Sequence, residues 1–407
     1  MNKLKVFLVV SAVFALLSAA GCASSSPQPQ PQAQTQAPSK PYVEPPLPQG
    51  GKAVEGESLI DKLTWLETYA ESGNIYILEI SADENIAPRT LDYDGVKDIT
   101  IIIRGVGENR TVRLSANGTM FTVKRGVRLV LDNNITLMGH NRNTGPVVHV
   151  DEGNLWMRTG SCISGNNRDT SEIEGEIRAT GDGGGVLVCP GEFEMTGGTI
   201  SGNTANSGGG VYCDVDRTKK EMVEYGRFTM YGGTISGNTA RMYGGGVRGS
   251  AALTMHGGTI SGNTANVGGG VGVVMGFHMH GGTISGNTAR MYGGGVYIGV
   301  GMVIEGGNVG LLYKDNIEGG TITGYGSDPI NGNVVKDKDG NVLSKPVDKD
   351  GNVIQCADDG FGNSLKTDCN SVGHAVFTKV NKDGYRKTGL AGLIGNKDIT
   401  ITGPYRK

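Results

Sequence analysis

The residues of this chain best suited to contacting another molecule are two arginine–tyrosine pairs, Arg241 with Tyr243 and Arg290 with Tyr292. They lie in two stretches, residues 232–247 and 281–296, that are identical over sixteen positions. Arginine carries a rigid fork of donors, and tyrosine a flat ring with a polar tip. Both make good contacts with sugars and with protein partners. Between Gly226 and Ile304 there are four arginines and no Asp or Glu. That stretch is locally basic, although the whole chain carries a net charge of only −3. So small a charge predicts no nucleic-acid partner.

Carboxylates gather elsewhere. One group spans Asp169 to Asp182 and includes Glu172, Glu174 and Glu176; the other runs from Asp214 to Glu224. Both are insertions that replace short turns, and charged loops of this kind are usually solvated. Two copies of Asp-Lys-Asp-Gly-Asn-Val begin at Asp337 and Asp348. Their glycine stands too early for a helix–loop–helix calcium loop and no Glu closes them, so Asp339-Gly340 and Asp350-Gly351 read as hairpin turns. His278 and His280 share one strand face without an evident third ligand. No CxxC or Cys/His cluster points to a metal, and no cofactor is expected. Five cysteines follow Cys22. Cys356 and Cys369 are the closest in sequence and the expected pair, while Cys189 and Cys213 leave a bridge open.

A repeat positions these groups. Gly-Gly-Thr-Ile-Ser-Gly-Asn-Thr-Ala starts at Gly197, Gly232, Gly257 and Gly281, at intervals of 35, 25 and 24 residues. Gly-Gly-Gly-Val follows each copy and ends at Val211, Val247, Val271 and Val296. A period in this range marks stacked units, and 69 glycines with β-branched residues make each unit a coil of strands. One coil of 24–25 residues fits three short strands. In register, Met195, Met230, Met255 and Met279 form one inward ladder. Ile200, Ile235, Ile260 and Ile284 form another, and the four valines a third. Asn203, Asn238, Asn263 and Asn287 recur after Ser-Gly, where a buried amide can bond the turns above and below. Weaker echoes at Cys162–Asn166 and at Gly183-Gly184-Gly185-Val186 start the array earlier. Residues 58–72 predict an amphipathic helix with a Ser58/Asp61 cap, placed to cover the open end of the first coil.

The N-terminus reads as an export signal over residues 1–21: Lys3 and Lys5, an apolar run, then Ala19-Ala20-Gly21-Cys22. This resembles the lipobox of bacterial lipoproteins, whose Cys is acylated, and it implies a membrane anchor at Cys22. Residues 22–50 alternate Pro and Gln and read as an extended tether. The expected organisation continues with a cap helix in 51–75 and the β-helix in 76–325. A hairpin-rich region with a last coil follows in 326–407.

Ile200-x-x-Asn203-x-Ala205 followed by Gly208-Gly209-Gly210-Val211 resembles the repeats of chlamydial polymorphic outer-membrane proteins. It is more similar still to the glycine-rich repeats of bacterial surface lipoproteins with a pectin-lyase-like fold. The resemblance covers residues 157–325, with weaker echoes from Glu57 and at Gly373-His374-Ala375-Val376. It implies an all-β, right-handed parallel β-helix displayed at the bacterial outer membrane or cell surface. The chlamydial proteins end in a membrane barrel, whereas this chain ends in Pro404-Tyr405-Arg406-Lys407, which leaves anchoring to the lipid. The implied function is adhesin-like and non-enzymatic, towards a glycan or a host matrix protein. The same fold class also hosts lyases and hydrolases of acidic polysaccharides, which need carboxylates around calcium or flanking the scissile bond. The repetitive stretch has none, so that alternative would fall to the two acidic insertions. A purely structural envelope spacer is the third reading.

Overall fold

The computed structural model describes residues 42–168, 181–216, 224–250, 253–274 and 276–299, shorter pieces between 303 and 343, and strands at 376–378 and 399–401. Within them the chain is a parallel β-helix. Three long sheets of eleven, ten and nine strands run its length, and each strand pairs with its counterpart one coil away. The chain starts one clean coil at Leu253–Met255 in the first sheet and crosses to Thr259–Ser261 in the second. It returns through Val271–Val273 in the third.

The expected ladders are in register. Met195, Met230, Met255 and Met279 pair in sequence, as do Ile200, Ile235, Ile260 and Ile284, and Val211, Val247, Val271 and Val296. All point inward into one core that runs unbroken from Val54 to Ile322. Phe193 and Phe228 stack in it at 4.7 Å. Each strand is too short to bury its inner face alone, so each coil depends on its neighbours.

A coil has four strands in the repetitive region, not three. Thr204–Ser207, Thr239–Tyr243, Thr264–Val267 and Thr288–Tyr292 form a fourth sheet, which ends at Val334–Val335. Thr204–Ser207 and Thr264–Val267 bury the alanine and one residue further on, and the two longer segments bury the alanine alone, so the sequence shows too few apolar residues here to mark a strand. What extends them is the geometry on either side. An asparagine ladder fixes one end, and a Gly-Gly-Gly turn packed on the carbonyls of the next coil fixes the other. A Cβ at Gly269 would press on the carbonyl oxygens of Thr288 and Gly294, so no other residue fits there.

The ladder bonds are complete. The Asn238 backbone N–H and Nδ2 both donate to Oδ1 of Asn263, each at 3.0 Å. Asn263 does the same to Asn287 at 2.9 Å, and its Nδ2 also reaches the Ile235 carbonyl at 2.9 Å. Asn287 bonds Asn333, which extends the ladder past the clean repeats. Replacing Asn263 with Leu leaves the Asn238 N–H and the Asn287 amide oxygen buried short of their ladder partners, and takes one of its donors from the Ile235 carbonyl. Each such orphan costs about 1–3 kcal/mol, so the urea midpoint should fall by roughly 2–3 kcal/mol equivalent. A midpoint unchanged in that variant would show that the ladder adds nothing.

The helix spans Leu59–Tyr69 and closes the first coil with Leu59, Leu63 and Leu66. Ser58 and Asp61 form the reciprocal cap, and the Glu84 carboxylate accepts the Leu59 N–H at 2.8 Å. At the other end, Val376–Thr378 pairs with Val296–Ile298 and supplies the third-sheet strand of the last coil. Lys336 and Val342 bridge around Gly340, so the first Asp-Lys-Asp-Gly segment is a hairpin turn. The Asp337 carboxylate, held by Asn341 and the Asp339 N–H, stays below the usual carboxylate range. The second such segment, at Asp348, lies outside the described residues, as do Cys22, Cys356 and Cys369.

The last part of the expected tether is packed. Residues 42–50 lie as a strap across the outer face of the first sheet. Leu47 packs with Ile75, Ile77, Ile102, Val130 and Trp156. The Glu44 carboxylate accepts from the Thr159 N–H at 3.1 Å and from Thr196 Oγ1 at 2.6 Å, and pairs with Arg158 at 3.5 Å. The Pro45 carbonyl accepts from Arg158 at 2.6 Å. Tyr42 then stacks on Tyr231 at 4.9 Å. It occupies the ring position that the coil before Tyr231 leaves open by carrying Thr196.

Candidate functional site

The paired arginines and tyrosines lie on the fourth sheet, across each coil from the strap. Their segments are one residue longer than the intervening one. The register shifts between Ala240 and Tyr243 against Val267, and again between Ala289 and Tyr292. Each is a bulge of one extra residue, which brings Tyr243 and Tyr292 opposite Val267. Arg241 and Arg290 follow the inward alanines and point outward by strand alternation, as Asn266 does, and both are exposed. Met242 is exposed beside Arg241. Tyr243, Val267 and Tyr292 form one column, so the tyrosines stand two coils apart, roughly 10 Å at the parallel-strand spacing. The structure therefore brings the four sequence-derived residues to one edge as two matching pairs.

A fifth residue was not anticipated. Along the outside of the third sheet, Tyr212, Arg248, Gly272 and Tyr297 are in register on successive coils. The Arg248 guanidinium lies 4.7 Å over the Tyr243 ring. It lies against the buried Gly272, with a terminal nitrogen 3.7 Å from where a Cβ would stand and the Gly244 backbone nitrogen at 3.0 Å from the same point. Burial lowers its pKa, and Tyr212, Tyr243, Tyr297 and Asp182 act against that. Among the described residues it makes no hydrogen bond and no ion pair. The Tyr212 hydroxyl meets Ser250 Oγ at 3.2 Å, and burial pushes that phenol up to about 12. The signal in the sequence was the residue after each repeat valine, which points outward by strand alternation. Three of the four are Tyr or Arg and one is Gly.

The acidic insertions are only partly in view. Residues 169–180, with Glu172, Glu174 and Glu176, lie outside the described residues, as does the tip of the second insertion. Val215–Asp216 pairs antiparallel with Glu224–Tyr225, so that insertion is a hairpin arm. Asp182 is half-buried near Arg168; burial raises its carboxyl, and Asp214 nearby raises it further. Arg168 spends its guanidinium on the carbonyls of Thr144, Asp182 and Gly183. One Asp214 oxygen is buried without a hydrogen-bond partner. A separate groove of about 350 Å³ is lined by Asp98, Arg125, Arg128, Glu152 and Asn154. There Arg125 is held by Glu152 at 2.8 Å, with Glu224 at 4.0 Å.

His280 stacks on His256 at 4.7 Å, and His256 on Tyr231 at 4.8 Å, which continues the column that Tyr42 begins. His278 and His280 thus serve different columns on the outer face. Among the described residues no three metal-ligating side chains converge. Cys189 and Cys213 are thiols, not a bridge. Register explains this: Cys213 pairs with Val188 and points inward, and Cys189, one place further on, cannot share its face. Burial pushes the Cys213 thiol far above its ordinary value. Cys162 is held in a disulfide whose second cysteine lies outside the described residues. No protein-family model, no curated protein and no solved structure matches the chain.

Proposed function

We propose that the chain is a non-enzymatic, lipid-anchored surface protein of the bacterial outer envelope. Its β-helix presents the Arg241/Tyr243 and Arg290/Tyr292 edge to a glycan or a host matrix protein. The observation that carries this reading is the pair of identical bulged Arg-Met-Tyr segments, each with an exposed arginine and a half-buried tyrosine, on a stretch free of carboxylates. Cys22 carries the lipid in this reading, and the Pro/Gln-rich residues before the strap supply reach.

Binding of the full chain to a panel of glycans and matrix proteins tests it, alongside Arg241→Glu/Arg290→Glu. Selective binding that falls at least about tenfold in the double variant supports the edge, since reversing two contact charges exceeds the worth of one charged hydrogen bond. Binding to nothing on the panel favours the spacer. A second reading has one observation of its own: Asp182, held protonated more readily by burial, lies near Asp214. Two carboxyls with unequal environments are what a polysaccharide hydrolase or lyase would use. Release of cleaved or unsaturated products from polyuronates by the full chain would establish it.

A further inference from the structure

We propose that Arg248, with Tyr212, Tyr243 and Tyr297 around it, is a subsite for one anionic sugar residue, its carboxylate or sulfate bound to the guanidinium. This rests on the adhesin-like reading above and names the ligand chemistry of that face. The argument begins with the cation. A guanidinium lying among rings and partly withdrawn from water ordinarily has a carboxylate or carbonyl to hold it. Arg158 in this chain shows the ordinary case: it too lies over a ring, that of Trp156 at 4.7 Å, and it is held by Asp132, Glu44 and the Pro45 carbonyl. Arg248 has the ring and lacks the acceptors. Its planar fork matches an oxyanion in two-pronged fashion.

The surroundings favour a sugar over an acidic side chain of a protein. The half-buried Tyr297 ring flanks the position, and a ring face takes the C–H face of a pyranose. Tyr243 backs the guanidinium, and the buried Tyr212 closes the floor with its hydroxyl on Ser250. Gly272 is covered by the Gly244 backbone and by Arg248, so the guanidinium is offered outward, beside Tyr297 on the coil beyond. The array is also periodic. Arg241 and Arg290 stand two coils apart on the adjoining sheet, and a glycan with charges at regular intervals meets a row of cations at regular intervals. The carboxylates on this side, Asp182 and Asp214, lie towards Tyr212, and Arg168 stands against the first of them.

The test is titration of the full chain with sialyllactose and with lactose, which differ by one carboxylate-bearing sugar. Both are repeated on Arg248→Gln and on Tyr297→Ala, which removes the flanking ring. Sialyllactose should bind the unaltered chain more tightly than lactose. It should lose about tenfold to a hundredfold in Arg248→Gln, the worth of a charged two-pronged contact, and a smaller factor in Tyr297→Ala. Thermal melting should shift only slightly in Arg248→Gln, which loses no hydrogen bond and only the guanidinium lying over the Tyr243 ring. Equal affinity for the two sugars overturns the proposal, as does equal sialyllactose affinity in Arg248→Gln. A glutamate-rich peptide that displaces sialyllactose and binds more tightly overturns it in favour of a protein ligand. If panel binding depends on Arg241 and Arg290 but not on Arg248 or on sugar charge, this subsite fails while the adhesin-like reading stands.

Discussion

Replacing Ile260 with Asp should abolish the single cooperative melt and release several coils at once. Ile260 is 1% exposed and stacked between Ile235 and Ile284 in the inward ladder. A carboxylate there has no partner in a core built from aliphatic and aromatic side chains. It would either stay charged at a cost of many kcal/mol or take up a proton, and the hydrophobic contacts of the isoleucine are lost as well, another 2–5 kcal/mol or so. In a globule such a defect is shared by the whole fold. In a stack of coils it falls on one unit, which touches only the units above and below, so the array should part there. Circular dichroism would show the loss of the transition, and limited proteolysis would show cleavage concentrated around residues 230–300. The neighbouring Ser261→Asp supplies the contrast. Its side chain points the other way by strand alternation, and it should change the midpoint by less than about 0.5 kcal/mol equivalent. An unchanged melt for Ile260→Asp would contradict the ladder.

Where a physical requirement repeats every coil, the sequence displays it. Inward Ile, Val and Met must recur at a fixed interval for the coils to close on one core, and Asn must recur because each amide bonds the next. The helix was equally legible, since Ser58 and Asp61 satisfy local N–H groups and their spacing is set by a helical turn. What escaped was whatever depends on chain positions far apart. Asn333 and Val376 complete the last coil, yet they stand 46 and 80 residues beyond their partners Asn287 and Val296, so no interval reveals them. Arg248 looked like one repeat variant among others until Tyr243, five residues back, came over it through the glycine turn. The bulges were visible only as one extra residue, Arg-Met-Tyr against Asn-Val, and their consequence needed the register of the neighbouring coil.

The strap shows the same limit and carries the second large effect. Glu44→Ala/Leu47→Ser should cost about 2–3 kcal/mol, combining the half-buried hydrogen bonds of Glu44 with a partly buried apolar contact at Leu47, while Arg158 keeps Asp132 and the Pro45 carbonyl. It should also broaden the unfolding transition. A stack of coils has only nearest-neighbour contacts, but the strap runs from Lys52, paired at the first coil, to Tyr42, stacked on Tyr231. It ties together coils that never touch one another, through bonds between residues 113 and 152 apart in the chain. Removing it should let the N-terminal coils fray before the clean repeats melt. Trp156 reports this directly, because Leu47 covers its ring and Thr196, itself held by Glu44, accepts its indole N–H at 3.0 Å. In a Trp65→Phe background the double variant should shift Trp156 emission to the red at denaturant concentrations where the far-ultraviolet signal of the sheets is still intact. Coincident transitions by both probes would mean that the coils hold together without the strap. Separate transitions would mean that this N-terminal segment, laid across the outer face of the first sheet, also fixes how the array unfolds.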